Sequence, residues 1–311
     1  MHPGTASLAS RLRSAPTALL QRLEWRARHA VNTTVSGEYR SAFRGRGMEF
    51  DQVVRYQWGD DPRDIDWNVT ARLGAPYRKR FVEERDLSVI FVFEDAPALQ
   101  FGSDGRTRRD TLLEAVALLM LVSGINRDRV GLLYRAPSAS WFVRARPGRA
   151  GALRCAARLL AAPAPALDGP PSAALPWDFM RRFASRGSVL VWAGPFAPTE
   201  LPRSWPELQH RYQLVGMRAD DPWDDGLPED ARLVAYDPVA GWLTTLDGGS
   251  AAERAAHARW RAARESHFAA LFPNEDDRLR VRNTEDPLQA LVAWFHRHRH
   301  AEARGRARRR A

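Results

Sequence analysis

Four aspartates, Asp60, Asp61, Asp64 and Asp66, crowd one short stretch together with Arg63, and Arg55 stands just before them. Guanidinium and carboxylate groups form bidentate, charge-assisted hydrogen bonds, so this set can build a network of fixed geometry. Three uses follow from that chemistry. The charges could form a buried salt-bridge web that fixes the segment to the core. They could present a partner-docking surface on a special loop. Paired carboxylates could also exchange protons with a substrate. The residues that carry the binding reading are Arg55, Tyr56, Gly59, Asp60, Arg63, Asp66, Trp67 and Arg72. Gly45, Gly47 and Gly59 allow backbone conformations closed to other residues. Gly45-Arg46-Gly47 lacks the Gly-Lys-Ser/Thr of a phosphate loop, and no apolar strand precedes it.

Other reactive groups are sparse. Histidines show no zinc spacing. Ser123, Ser188 and Ser204 have no nucleophile-elbow context. Cys155 is the single cysteine, which rules out an internal disulfide and fits a reducing compartment. It lies in a helical pattern, where a buried, inert thiol is expected.

The elements that must position these groups follow from periodicity. Leu87–Phe93 is apolar throughout, as in a strand buried on both faces of a parallel sheet. Thr107–Asn126 has helical spacing. Val130–Tyr134, Trp141–Ala145, Ser188–Trp192 and Tyr212–Met217 read as further strands. Gly151–Ala161, a short segment around Phe179 and Phe183, and a segment near Glu207–Arg211 read as helices. Tyr77–Glu83 alternates like an edge-type strand entering the core. Ala162–Pro176 is a proline-rich loop. Leu233–Tyr236 and Trp242–Leu246 form a hairpin turned at Pro238–Gly241. Helices at about Ala251–Leu271 and Pro287–His298 close the chain. Such alternation predicts an α/β fold with a doubly wound, mostly parallel sheet. Ligands of that fold bind at the carboxyl ends of strands, which places Asp95, Gly194 and Ala219-Asp220 on one rim.

With 311 residues, 44% hydrophobic and 27% charged, the composition is that of a soluble globular protein. The net charge is +10, but His296–Ala311 alone holds seven arginines and one glutamate, leaving about +4 for the rest. Lys79 is the single lysine, and the arginine and alanine bias fits a high-GC bacterial genome. The tail Arg304–Arg310 reads as disordered and solvated. Leu112–Val122 is half the length a membrane span requires. The N-terminus lacks a signal-peptide core, so a cytoplasmic location is expected. Residues 1–36 form a weak amphipathic helix, expected to dock on the body.

The order Arg55-Tyr56, Gly59-Asp60, Arg63, Ile65-Asp66-Trp67 and Ala71-Arg72, followed by the Leu87–Phe93 strand, resembles the family catalogued as domain of unknown function 58. Asn283-Thr284-Glu285-Asp286 before an amphipathic helix agrees with it. The resemblance implies a von Willebrand factor A-like core with an N-terminal extension and C-terminal helices. Its parts would be residues 1–36 (helical extension), 37–86 (signature segment), 87–247 (A-like domain), 248–300 (C-terminal helices) and 301–311 (basic tail). It further implies a non-enzymatic adaptor for a MoxR-type AAA+ ATPase, acting in the maturation or activation of client protein complexes. A-like domains bind magnesium through an Asp-x-Ser-x-Ser loop. Here Asp95 matches, but Pro97 and Leu99 replace the serines, and the later loop offers Ala193, Gly194 and Pro195. The metal site is therefore expected to be degraded, with Asp95 serving as a loop anchor or helix cap. Two other classes remain: a hydrolase using the carboxylates of Gly59–Trp67, and an arginine-rich nucleic-acid-binding protein.

Overall fold

The computed structural model describes residues 16–32, 39, 42–43, 48–83, 87–201, 203–230, 232–237 and 242–308. Helix α1 (Pro16–Ala30) comes first. Strand β1 (Met48–Arg55), a 3-10 turn (Pro62–Asp64), helix α2 (Trp67–Leu73) and strand β2 (Tyr77–Glu83) follow. Then come β3 (Ser88–Glu94), α3 (Arg108–Ile125), β4 (Arg129–Ala136), β5 (Ala139–Pro147) and α4 (Gly148–Leu160). Next are α5 (Trp177–Phe183), β6 (Val189–Ala193), α6 (Trp205–Arg211) and β7 (Gln213–Asp220). The chain continues through β8 (Arg232–Asp237), β9 (Trp242–Asp247), α7 (Ala251–Leu271), β10 (Arg278–Arg282) and α8 (Pro287–Arg308).

The fold is mixed α/β with a mostly parallel central sheet of order β10-β7-β6-β3-β4-β5. Neighbours run parallel except β5, which is antiparallel to β4. Strand side chains alternate between two cores, as the period of two demands. Val89, Phe91 and Phe93 enter one core with α1, α3, α4 and α8. Ile90 and Val92 enter the other, with Leu190, Trp192, Trp205, Phe268 and Phe272. Helices thus cover both faces, which explains why β3 is apolar along its whole length.

Helix α3 is the central pillar, buried from Arg109 to Gly124. A capping box starts it: Thr107 accepts from the Asp110 amide at 3.0 Å, and Asp110 accepts from the Thr107 amide at 3.4 Å. Helix α1 docks on the body as expected, burying Leu19, Leu23 and Ala27. Arg26 fixes it by pairing with Glu114 at 2.6 Å and with Asp286. Cys155 is buried against Val130, and burial pushes its thiol up to about 12. No helix of the described residues is long and apolar enough to cross a membrane.

Several expectations need correction. Strand β2 does not enter the central sheet; it pairs antiparallel with β1, a strand the sequence reading missed, in a sheet of their own. Strand β10 was missed too, because Arg278, Arg280 and Arg282 alternate with only two apolar residues. It is a parallel edge strand with Leu279 and Val281 buried inward. Helix α8 runs to Arg308, so most of the basic tail is helical rather than disordered. Residues 1–15 of the expected N-terminal helix, Gly45-Arg46-Gly47 and the turn Pro238–Gly241 lie outside the described residues.

Candidate functional site

Two regions hold the candidate residues: the carboxyl-end rim of the central sheet and the ribbon made by β1 and β2. On the rim, Asp95 follows the last residue of β3 and is fully buried. Arg109, on the first turn of α3, reaches it with Nε at 2.8 and 3.1 Å from the two carboxylate oxygens. The Tyr134 hydroxyl donates to Asp95 at 2.8 Å. Arg109 also donates to the carbonyls of Ala162 at 2.9 Å and Pro163 at 3.2 Å. Burial raises the Asp95 pKa, while Arg109 and Tyr134 pull against it. Both carboxylate oxygens are therefore occupied by a built-in cation. Leu99 is buried, and the Pro97 and Ala193 side chains cannot ligate an ion. A magnesium site does not fit these residues: the ion would have to displace Arg109 and strand a buried guanidinium. Asp95 is a loop anchor.

The neighbouring rim is similarly closed. Asp221 accepts from the Ser103 amide at 2.8 Å, the Ser103 hydroxyl at 2.6 Å and the Trp223 amide at 3.0 Å. Asn283 joins the Asp221 carboxylate to the Arg106 carbonyl. Arg264 bridges Asp220 and Asp224, each at 3.2 Å, and Arg108 pairs with Asp224. The acidic loop is thus a pairing surface for α3 and α7, built around the helical turn Pro222–Asp225.

Glu94 differs. It is half-buried and accepts from Trp192 Nε1 at 2.9 Å, yet no cation pairs with it among the described residues. Burial pushes its pKa up to about 7. Gly194 sits against it, and a Cβ there would lie 2.9 Å from the Glu94 carboxylate. Sequence reasoning passed over Glu94, although a charged residue closing an apolar strand is a visible signal.

The ribbon carries the other candidates. Asp60 accepts from the Gln57 amide at 2.9 Å and pairs with Arg78 at 2.8 Å, while the Tyr56 hydroxyl donates to the Asp60 carbonyl at 2.9 Å. Asp61 caps the 3-10 turn through the Arg63 amide at 2.9 Å. Asp66 caps α2, accepting from Asn68 and Val69 amides at 3.0 and 3.2 Å. Gly74 ends α2 at φ +69°, and Gly59 turns the chain at φ +106°, both natural for glycine. Thr70 accepts from the Tyr77 amide at 2.9 Å and ties α2 to β2.

Among the described residues these charges show no buried web with the core. No residue of the 3-10 turn or of α2 is buried, and the segment's extensive contacts are internal. Asp61 and Asp66 cap local backbone, and Asp60 pairs with Arg78 on β2. Arg55, Arg63 and Arg72 are exposed. Trp58 is fully exposed and Trp67 is 70% exposed, with Leu73 also out in solvent. Trp58 and Leu73 were not singled out from the sequence.

A profile for "Protein of unknown function DUF58" matches residues 52–267, from the ribbon into α7. The chain belongs to this family. An uncharacterized protein of Mycobacterium bovis is 28% identical over 228 residues, covering 72% of this chain and 71% of the relative. Uncharacterized proteins of Mycobacterium tuberculosis match with the same figures. A crystal structure of the conserved hypothetical protein BatB from Bacteroides thetaiotaomicron is similar at a TM-score of 0.44 and 12% identity, covering 68% of this chain and 98% of that one. In this DUF58 chain the matched stretch takes in both the Trp58–Trp67 surface and the Asp95–Arg109 rim.

Proposed function

We propose that this protein is a non-enzymatic adaptor of von Willebrand factor A type. It works in the cytoplasm with a MoxR-type AAA+ ATPase to mature or activate client complexes. The β1–β2 ribbon is the surface that docks the ATPase. The observation that carries this reading is the exposure of Trp58 and Trp67 on a segment whose carboxylates satisfy its own backbone. Exposed tryptophans on a rigid support are the side chains that anchor protein interfaces. Arg55, Arg63 and Arg72 supply a polar rim around them. The sheet order and its antiparallel edge support the A-type architecture. The engagement of Asp60, Asp61 and Asp66 in caps and the Arg78 pair favours docking over carboxylate chemistry.

The test is capture of the tagged full chain from its native host, with ATP present, and identification of co-purifying proteins. Recovery of an AAA+ ATPase that disappears in Trp58→Ala/Trp67→Ala, with the circular dichroism spectrum unchanged, is the expected result. Asp66→Ala is the poorer probe, because it also removes the α2 cap. Absence of any ATPase in several nucleotide states would overturn the reading and direct attention to a substrate screen. Docking should not require magnesium; micromolar magnesium binding by calorimetry, lost in Asp95→Ala, would contradict the occupancy of Asp95 by Arg109.

A further inference from the structure

Strand β5 ends the central sheet, so one side of its backbone meets no other strand among the described residues. An open edge presents unpaired N–H and C=O groups to solvent. Part of this edge is closed, since Arg154 of α4 donates to the Arg144 carbonyl at 2.8 Å. Beside the remaining part, a cavity of about 320 Å³ is walled by Leu133, Ser140, Trp141, Phe142, Pro176 and Phe179. Phe142 and Phe179 meet edge to face at 5.2 Å, giving the cavity a firm aromatic wall.

The charge here is one-sided. From Ala139 to Leu160 the chain holds Arg144, Arg146, Arg149, Arg154 and Arg158, and no aspartate or glutamate. Arg149 is paired with Glu24, and Arg158 lies over the Trp141 ring at 4.7 Å. Arg144 and Arg146 are exposed and meet no carboxylate among the described residues.

We propose that the β5 edge binds an extended acidic segment of a partner protein, added as a further strand with a bulky apolar side chain in the Phe142–Phe179 cavity. Backbone hydrogen bonds supply affinity in such strand addition, and the pocket supplies selectivity. The arginines select acidic residues flanking the apolar anchor. A second copy of this chain is disfavoured, because β5 against β5 would oppose Arg144 and Arg146 with their counterparts. This surface is separate from the ribbon and does not depend on the ATPase reading.

The experiment uses the full chain and a fluorescein-labelled peptide, Glu-Val-Glu-Phe-Glu-Val-Glu, followed by anisotropy at low salt. Binding in the range of roughly 10–100 µM is expected. Replacing Phe and Val by Gly, or methylating alternate backbone amides, should weaken it about tenfold or more. R144E/R146E should do the same with an unchanged circular dichroism spectrum, since both side chains are exposed. Ser140→Trp, which fills the cavity from an exposed position, should remove the preference for Phe over Gly. Several results would overturn the proposal. They are no binding at about 1 mM, equal binding of the glycine or methylated peptides, and retention of binding in R144E/R146E. Displacement by an oligodeoxythymidylate of higher affinity would give the edge to nucleic acid. Sedimentation showing a dimer that the peptide dissociates would give it to a second copy.

Discussion

The rim and the ribbon draw on the same two residue types and use them in opposite ways. On the rim, Arg109 and Asp95 neutralise each other out of solvent, and Arg264 and Arg108 do likewise for Asp220 and Asp224. In the ribbon, Asp61 and Asp66 turn inward to local amides, and the arginines face water. Buried pairs of the first kind are weak net stabilisers, but breaking one is expensive because a charge is left unpaired. Caps of the second kind hold a short segment in shape at modest energy. The lesson is that density of charge in sequence does not report burial. The most crowded stretch of Asp and Arg lies on the surface, whereas the buried network is assembled from residues scattered between Asp95 and Asn283.

The largest effect should follow from breaking the rim. Arg109→Leu leaves Asp95 buried without its cation and should cost about 3–5 kcal/mol in urea unfolding. A loss below about 1 kcal/mol would mean that the Tyr134 hydroxyl suffices for Asp95 or that the carboxyl simply takes up a proton. Glu94 should show a smaller, pH-dependent effect. Its folded pKa, about 7, lies above the ordinary carboxylate value, so the folded state holds the proton longer. Stability therefore falls as pH rises from about 4.5 to about 7 and is flat beyond. Glu94→Gln keeps an acceptor for Trp192 and should stabilise the protein by on the order of 1–2 kcal/mol at pH 8, with little effect near pH 4. Equal gains at both pH values would detach the effect from this carboxyl.

Ribbon variants should be milder. Asp66→Ala should destabilise α2 by about 1 kcal/mol, seen as faster amide exchange in Trp67–Leu73 without a shift of the global transition. A loss of global stability would show that the ribbon folds as one unit with the sheet. Trp67→Ala should change stability by less than about 0.5 kcal/mol, because the side chain is 70% exposed. A larger change would place that indole in a contact within the chain.

Much of this was legible in the residues. Leu87–Phe93 announced a doubly covered strand through unbroken apolar composition, and the helical spacing within Thr107–Asn126 announced α3. The rim location of Asp95 followed from strand and helix alternation alone. What stayed hidden has physical reasons. Arg109 as the partner of Asp95 is a tertiary fact, set by how α3 lies on β3 and β4. Strand β10 carries arginines on its outer side, so its apolar pattern is only two residues long. Strand β1 was masked by the Arg and Gly richness around it, and β2 looked like a core strand because alternation does not say which sheet a strand joins. Trp58 and Trp67 gave no sign of exposure, since tryptophan in a charged segment reads equally well as a buried lid.

The guanidinium that occupies the Asp95 site has one property that no dissolved ion shares. It is tethered, so its local concentration is set by the chain and not by the surroundings. Chelators cannot extract it, dilution cannot empty the site, and changes in cellular divalent ions cannot tune it. The Asp95 position at the head of the sheet is consequently held in one state whatever the divalent-ion concentration.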